Sequence, residues 1–363
     1  MEIAITGLPQ SGKTTLFNAL TRGQADTTGA GGAGAQMHVG VAKVIDPRLA
    51  VLAEMYHPRK VVYPEIKYWD LPAVDARAKS QGVGGQSQNI LQAADAFLLV
   101  VRSFTDPVVV HPSGSIDMVR DLEASLGEIT LADLLVLERI SQRMEDGIKK
   151  APTSERPALV RQLDTVVKVK QGIEDGVPLR CQVLTPSEYA VFADYQLLTG
   201  KPVIVAINTD ETASGVRLEE SDIPGGSAAG LGQVSLCASL ESDLAQMTDE
   251  EAAEFRQELG LAGSAMDLVI EVSYDTVGLV SFLTVGEDEV RAWSVAKDIP
   301  AQDAAGTIHT DFSRGFIRAE VIPYEDLIRC GSIAQGRKEG VLRSEGKTYT
   351  VQDGDVINFL INT

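Results

Sequence analysis

The sequence predicts an α/β fold with a mostly parallel sheet, a helical insertion in its middle, and a separate α+β module at its end. Three observations predict it. The chain opens with a short β-branched run, Glu2–Thr6, that passes through a glycine loop into helix-like Thr15–Leu20. Apolar runs of strand length, Ala96–Val101 and Pro202–Ile207, read as strands buried on both faces, as parallel sheets require. Between and beyond them the pattern changes, first to helical periodicity and then to alternation.

The opening stretch carries the chemistry. Gly7-Leu8-Pro9-Gln10-Ser11-Gly12-Lys13-Thr14 fits G-x-x-x-x-G-K-[ST] without a mismatch, and it lies between a strand and a helix as a phosphate loop must. Gly7 and Gly12 permit backbone angles that turn successive N–H groups into one concavity. The helix that follows adds its unpaired N–H groups and positive dipole end. Lys13 is placed as a point charge for the β- and γ-phosphates, and the Thr14 hydroxyl as a ligand for Mg²⁺. Pro9, Gln10, Ser11, Gly12 and Thr15 complete the expected cradle.

Beyond this loop, residues 22–38 read as a loop built around an Ala/Gly tract, Gly29–Ala35. A strand at Val39–Ile45 and a short helix at Leu49–Met55 follow. Val61–Trp69 reads as one strand ending in Asp70, where an acid is expected to hold the Mg²⁺ through water. Gln81–Gln86 forms a second glycine segment. From Met118 to Val177, Ile129, Leu134, Leu137, Ile140, Met144 and Ile148 recur at helical intervals, as do Leu159, Leu163, Val166, Val169, Ile173 and Val177. Pro152 and Pro157 break the two runs, so an antiparallel hairpin is expected, with Lys149, Lys150, Arg156 and Arg161 near its tip. Polar Asn208–Glu211 then ends one strand and Ala238-Ser239 follows another, Gln233–Cys237, at the strand ends where such sheets hold ligands. Asp249–Glu258 reads as a solvated helix. Helix-like Leu279–Phe282, alternating Val290–Val295 and the Asp353-Gly354-Asp355 turn mark the last module. The expected domains are therefore 1–117 with 181–278 for the nucleotide domain, 118–180 for the hairpin, and 279–363 for the β-grasp-like module.

Composition narrows the classes. At 363 residues, 44% hydrophobic and 23% charged, the chain has the make-up of a globular protein of two or three domains. No apolar run has the roughly 18 residues of a membrane span, and no leader-like segment precedes the first strand. Cys181, Cys237 and Cys330 are too few and too scattered for a disulfide framework or zinc site, so a cytoplasmic protein is expected. The net charge of −19 speaks against DNA and disfavours other nucleic acid, but residues 118–180 carry only −1. An RNA-rich partner would be met there with least repulsion.

Taken together, these residues resemble the Obg-like ATPase (YchF) family of translation-factor P-loop NTPases. Gly7–Thr21, Asp46-Pro47-Arg48-Leu49, Arg291-Ala292-Trp293, Ala305–Phe312 and Gly315–Val321 carry the resemblance, which runs the whole length of the chain. It implies a P-loop NTPase domain with an inserted hairpin and a C-terminal TGS domain, ATP and ADP as ligands with Mg²⁺, and the ribosome or its subunits as partner. It also implies slow ATP hydrolysis by a nucleotide-dependent switch. Asn208-Thr209-Asp210-Glu211 stands where GTPases have N-K-x-D, and the family's N-x-x-E goes with a preference for ATP. Asn208, Glu211, Ala238 and Ser239 thus join the expected nucleotide site, with Lys13 and Thr14 as its catalytic residues and Thr14 and Asp70 at the metal. In its switch positions the chain departs from the family at Gly34 and Ala73, and Val74 stands where many GTPases have the water-orienting Gln, a hydrophobic residue there being usual for the family. Those departures leave an alternative, a regulatory module that binds nucleotide with little or no hydrolysis. No acceptor site suggests a small-molecule phosphotransferase.

Overall fold

The structure, a computed structural model, describes residues 1–25, 37–72, 85–211, 213, 215–223, 231–261 and 263–362. Its strands, in chain order, are β1 (Glu2–Thr6), β2 (His38–Lys43), β3 (Lys60–Val62), β4 (Glu65–Asp70), β5 (Ala96–Ser103), β6 (Val203–Thr209) and β7 (Leu231–Leu236). They continue with β8 (Leu279–Thr284), β9 (Glu289–Ala296), β10 (Phe316–Pro323), β11 (Arg343–Glu345) and β12 (Asp355–Ile361). The first five helices are α1 (Lys13–Thr21), α2 (Pro47–Tyr56), α3 (Gly85–Ala93), α4 (Met118–Lys150) and α5 (Arg156–Glu174). The chain divides into two compact units, Met1–Ala42 with Lys67–Val277, and Lys43–Ile66 with Gly278–Thr363.

In the first unit the sheet order is β2-β4-β1-β5-β6-β7. The pairs β1–β4, β1–β5, β5–β6 and β6–β7 are parallel. All seven residues of β6 and the first seven of β5 are buried, which is why both read as unbroken apolar runs. The order places β1 centrally, so the loop after it opens at the carboxyl edge of the sheet beside the ends of β4 and β6.

The hairpin forms as its two stripes dictate. Leu137 and Ile140 of α4 meet Val166, Val169 and Ile173 of α5 in one buried cluster. At its root, Leu122 and Ile129 of α4 enter the core of the sheet with Phe97, Leu99, Val101 and Val205. Buried Asp133 fixes that root. Its carboxylate accepts from Leu198 N at 2.9 Å, Thr199 N at 2.7 Å and Thr199 Oγ1 at 2.7 Å. The hairpin is therefore an outgrowth of the first unit's core, not a compact unit of its own.

In the second unit the order is β11-β10-β12-β8-β9-β3. Ala301, Ala304 and Ala305 of the helix Ala301–Ile308 are fully buried against this sheet with Phe282, Phe316 and Phe359.

Three expectations are corrected here. Val61–Trp69 is two strands, because Pro64 breaks the run; β3 joins the second sheet and β4 the first. Residues 43–66, expected in the nucleotide domain, belong to the second unit. Leu49 and Leu52 of α2 pack on Leu283, Val290 and Val356, and Arg48 bridges Asp46 at 2.8 Å and Asp353 at 2.7 Å. Leu279–Phe282 is not helical. The helix Ala265–Val277 stops at Gly278 with φ 75°, and β8 then pairs antiparallel with β9 and parallel with β12.

Candidate functional site

The phosphate loop has the geometry its glycines promise. Gly7 (φ 139°) and Gly12 (φ 97°) lie in backbone regions that side chains rarely adopt, and a Cβ on Gly7 would stand 2.5 Å from the Val100 carbonyl. Gln10 is also left-handed, at φ 61°. Gly12 begins α1 with no side-chain cap, and the first turn holds no acidic residue. The N–H groups of that turn thus have no anionic side chain to meet.

Lys13 is 7% exposed, and its ammonium donates to the Leu8 carbonyl at 2.8 Å across the loop. Burial pulls its pKa down to about 8, against the charges of Asp70 and Glu128, which raise it. Thr14 Oγ1 donates to Asp70 Oδ2 at 2.8 Å. Burial raises the Asp70 pKa; the Thr14 hydrogen bond, Lys13 and His38 oppose that shift. Asp70 Oδ1 and Ser11 Oγ are buried with no hydrogen-bond partner among the described residues. A divalent cation fits beside bound phosphate: a hard carboxylate oxygen is left unpaired next to the Thr14 hydroxyl, while the uncapped helix end favours the anion that such a cation would accompany. Thr14 and Asp70 are the residues that would hold Mg²⁺.

Asn208 sits at the centre of the arrangement. Its Nδ2 donates to the Ser11 carbonyl at 3.0 Å, and its Oδ1 accepts from Ala238 N at 2.9 Å. It ties the phosphate loop, the end of β6 and the start of the helix Ala238–Leu244 into one body. The spacing of the motif does not reveal this duty, which arises only once the three ends converge. Ala238 is fully buried, while Ser239 is exposed with its Oγ 3.2 Å from Cys237 Sγ. Glu211 is exposed just past the end of β6. Asp210, beside it, is engaged: its carboxylate accepts from Thr105 N at 3.2 and 3.3 Å and faces Thr105 Oγ1 at 3.3 Å. Gly34, Ala73 and Val74 lie outside the described residues.

His38 and Glu128 were not singled out in the sequence. His38 enters from β2, with Nδ1 3.5 Å from Asp70 Oδ2. Glu128 enters from α4, and its charge bears on Lys13. A histidine on an alternating strand gives no local hint of its neighbour; only β2 pairing beside β4 brings it there.

A parallel sheet, a glycine phosphate loop running into an uncapped helix, and a buried Lys13 with Thr14 and Asp70 define a P-loop nucleoside triphosphatase. Residues 2–139 match the family model MMR_HSR1, described as "50S ribosome-binding GTPase", and residues 279–362 match YchF-GTPase_C, described as "Protein of unknown function (DUF933)". The chain is 37% identical to the ribosome-binding ATPase YchF of Bacillus subtilis, over 99% of this chain and 98% of that protein. It is 32% identical to Obg-like ATPase 1 of Caenorhabditis elegans, over 100% and 92%. The YchF GTPase structure from Schizosaccharomyces pombe superposes with a TM-score of 0.81 at 27% identity, covering 99% of this chain and 97% of that one. The chain belongs to the YchF, or Obg-like ATPase, family.

Proposed function

We propose that the protein is an ATP-preferring ATPase that works as a nucleotide-dependent switch on the ribosome or its subunits, in the cytoplasm. The observation that carries the nucleotide reading is the convergence of the uncapped α1 terminus, buried Lys13 and the Thr14–Asp70 pair on one loop. When triphosphate enters, Lys13 leaves the Leu8 carbonyl for the β- and γ-phosphate oxygens, and the N–H groups of Gly12 to Thr15 close on the β-phosphate. Thr14 and Asp70 would hold Mg²⁺, which would supply positive charge to offset that on the transferred phosphoryl group. Asn208 holds the loop in register with the base-side residues Glu211, Ala238 and Ser239.

ATP preference rests on the N-x-x-E run Asn208–Glu211, which stands in place of N-K-x-D, and on Asp210 not serving as a guanine reader in its stead. The position after Thr209 offers no free acid to guanine, because the Asp210 carboxylate is spent on Thr105. ATP is expected to outcompete GTP by about 10-fold or more. Gly34, Ala73 and Val74 in the switch positions favour slow turnover. Relatives named as ribosome-binding ATPases support the partner, and the hairpin and TGS domain are the surfaces proposed to reach it. Multiple-turnover phosphate release, with and without ribosomes and with ATP against GTP, tests the reading. Ribosome-independent rates at the blank level with either nucleotide, and no ribosome stimulation, would refute the enzyme.

A further inference from the structure

We propose that a cavity at the root of the helical hairpin is a binding site for one small inorganic anion of chloride size, held by Arg180.

The cavity measures about 30 Å³, room for a single such ion or for a water or two. Three parts of the chain line it: Leu126, Ile129 and Thr130 of α4, Ile173 of α5, and Arg180 with Thr199 from the segment that leads into β6. Arg180 Nε is buried and has no hydrogen-bond partner among the described residues. Its Nη1 donates to the Thr199 carbonyl at 3.4 Å. Asp133, the acid of this root, spends its carboxylate on Leu198 N, Thr199 N and Thr199 Oγ1. Burial pulls the Arg180 pKa down, and Cys181 alone opposes the shift.

An arginine keeps its proton, so this charge has to be answered where it stands. A buried charged donor without a partner is costly. A water accepts from Nε but leaves the charge unanswered, whereas an anion does both. The wall sets the kind of anion. Thr130 adds one hydroxyl, and Leu126, Ile129 and Ile173 are apolar. Phosphate or sulfate would bring four oxygens to a wall with donors for one or two, so a single-atom halide fits best. Bound there, it joins both hairpin helices to the segment before β6.

Thermal melts of the full chain at fixed ionic strength test this, with chloride exchanged for gluconate, which is too large to enter. Saturating Mg²⁺ and ADP keep halide off the phosphate loop. The melting temperature of the parent should rise with chloride, and that dependence should be lost in Arg180→Met. Thr130→Val leaves the charge in place and should weaken the apparent chloride affinity by about 3-fold or more, which keeps the test open if the methionine variant does not fold. In crystals grown with bromide, an anomalous peak in contact with Arg180 Nε is expected. Equal chloride dependence in the parent and both variants, or a cavity that holds only water beside bromide, would overturn the site. Bromide seen there with no effect of chloride in solution would be an adventitious ion only and would overturn it as well.

Discussion

Replacing Lys13 by methionine should abolish nucleotide binding and, in the same protein, make the empty fold more stable. The side chain is 7% exposed, and burial lowers its pKa from 10.5 to about 8. A lowered lysine pKa means that the unfolded chain binds the proton more tightly than the native one. The penalty is therefore fully present below pH 8 and is relieved as pH rises from 8 towards 10.5. At about 1.4 kcal/mol per unit, it amounts to about 3 kcal/mol at pH 7 and about half that at pH 9.5. Methionine fills a similar volume without charge, but it forfeits the hydrogen bond to the Leu8 carbonyl, worth about 1 kcal/mol. The net expectation is a gain of about 2 kcal/mol at pH 7 that shrinks to about 0.5 kcal/mol at pH 9.5. Urea unfolding of nucleotide-free parent and variant at both pH values measures it, since both pH values lie above the range in which carboxylates ordinarily titrate. A variant less stable than the parent at pH 7, or a difference that ignores pH, would refute the argument that the phosphate lysine is held against its own desolvation.

The same lysine predicts that ATP affinity is greatest below about pH 8 and falls as pH rises above it. Phosphate binding raises the Lys13 pKa, so above 8 the free site must take up a proton; calorimetry in buffers of different ionisation enthalpy should detect that uptake. Asn208→Ala strips the Ser11 carbonyl and Ala238 N of their partners, and should cost about 1–3 kcal/mol of stability together with nucleotide affinity. Thermal melts with and without ATP report both losses, and an unchanged melting point would remove Asn208 from its tying role. At the hairpin tip, alanine at Lys149, Lys150, Arg156 and Arg161 should weaken ribosome binding and flatten its salt dependence by about 0.7–0.9 per lost phosphate contact. Lys149 already pairs with exposed Asp146 at 3.0 Å, so it should contribute least of the four. Sedimentation at two salt concentrations distinguishes this from a tip that is only a solvated turn.

Local pattern alone determined the phosphate loop, the two apolar strands β5 and β6, the hairpin and the acidic helix Asp249–Glu258. Each is written by short-range rules: glycines where φ is positive, apolar residues at a helical or strand period, prolines at a break. The convergence of Lys13, Thr14 and Asp70 was legible for the same reason, because their motif fixes them to one loop and one strand end. What only the tertiary structure decided is where distant segments meet. Nothing in Lys43–Ile66 announces that it leaves the first sheet to pack in the second unit, because its apolar stripe fits either neighbour. Leu279–Phe282 has the periodicity of one helical turn, and cross-strand pairing with β9 and β12 overrides it. Asn208, His38 and Asp210 acquired their partners from strand order and not from sequence distance. Asn208 reaches Ser11, 197 residues away; His38 faces Asp70; and Asp210 turns to Thr105, 105 residues back. Hydrogen bonds and unpaired polar atoms depend on atoms brought within about 3 Å, and no period in a chain records that.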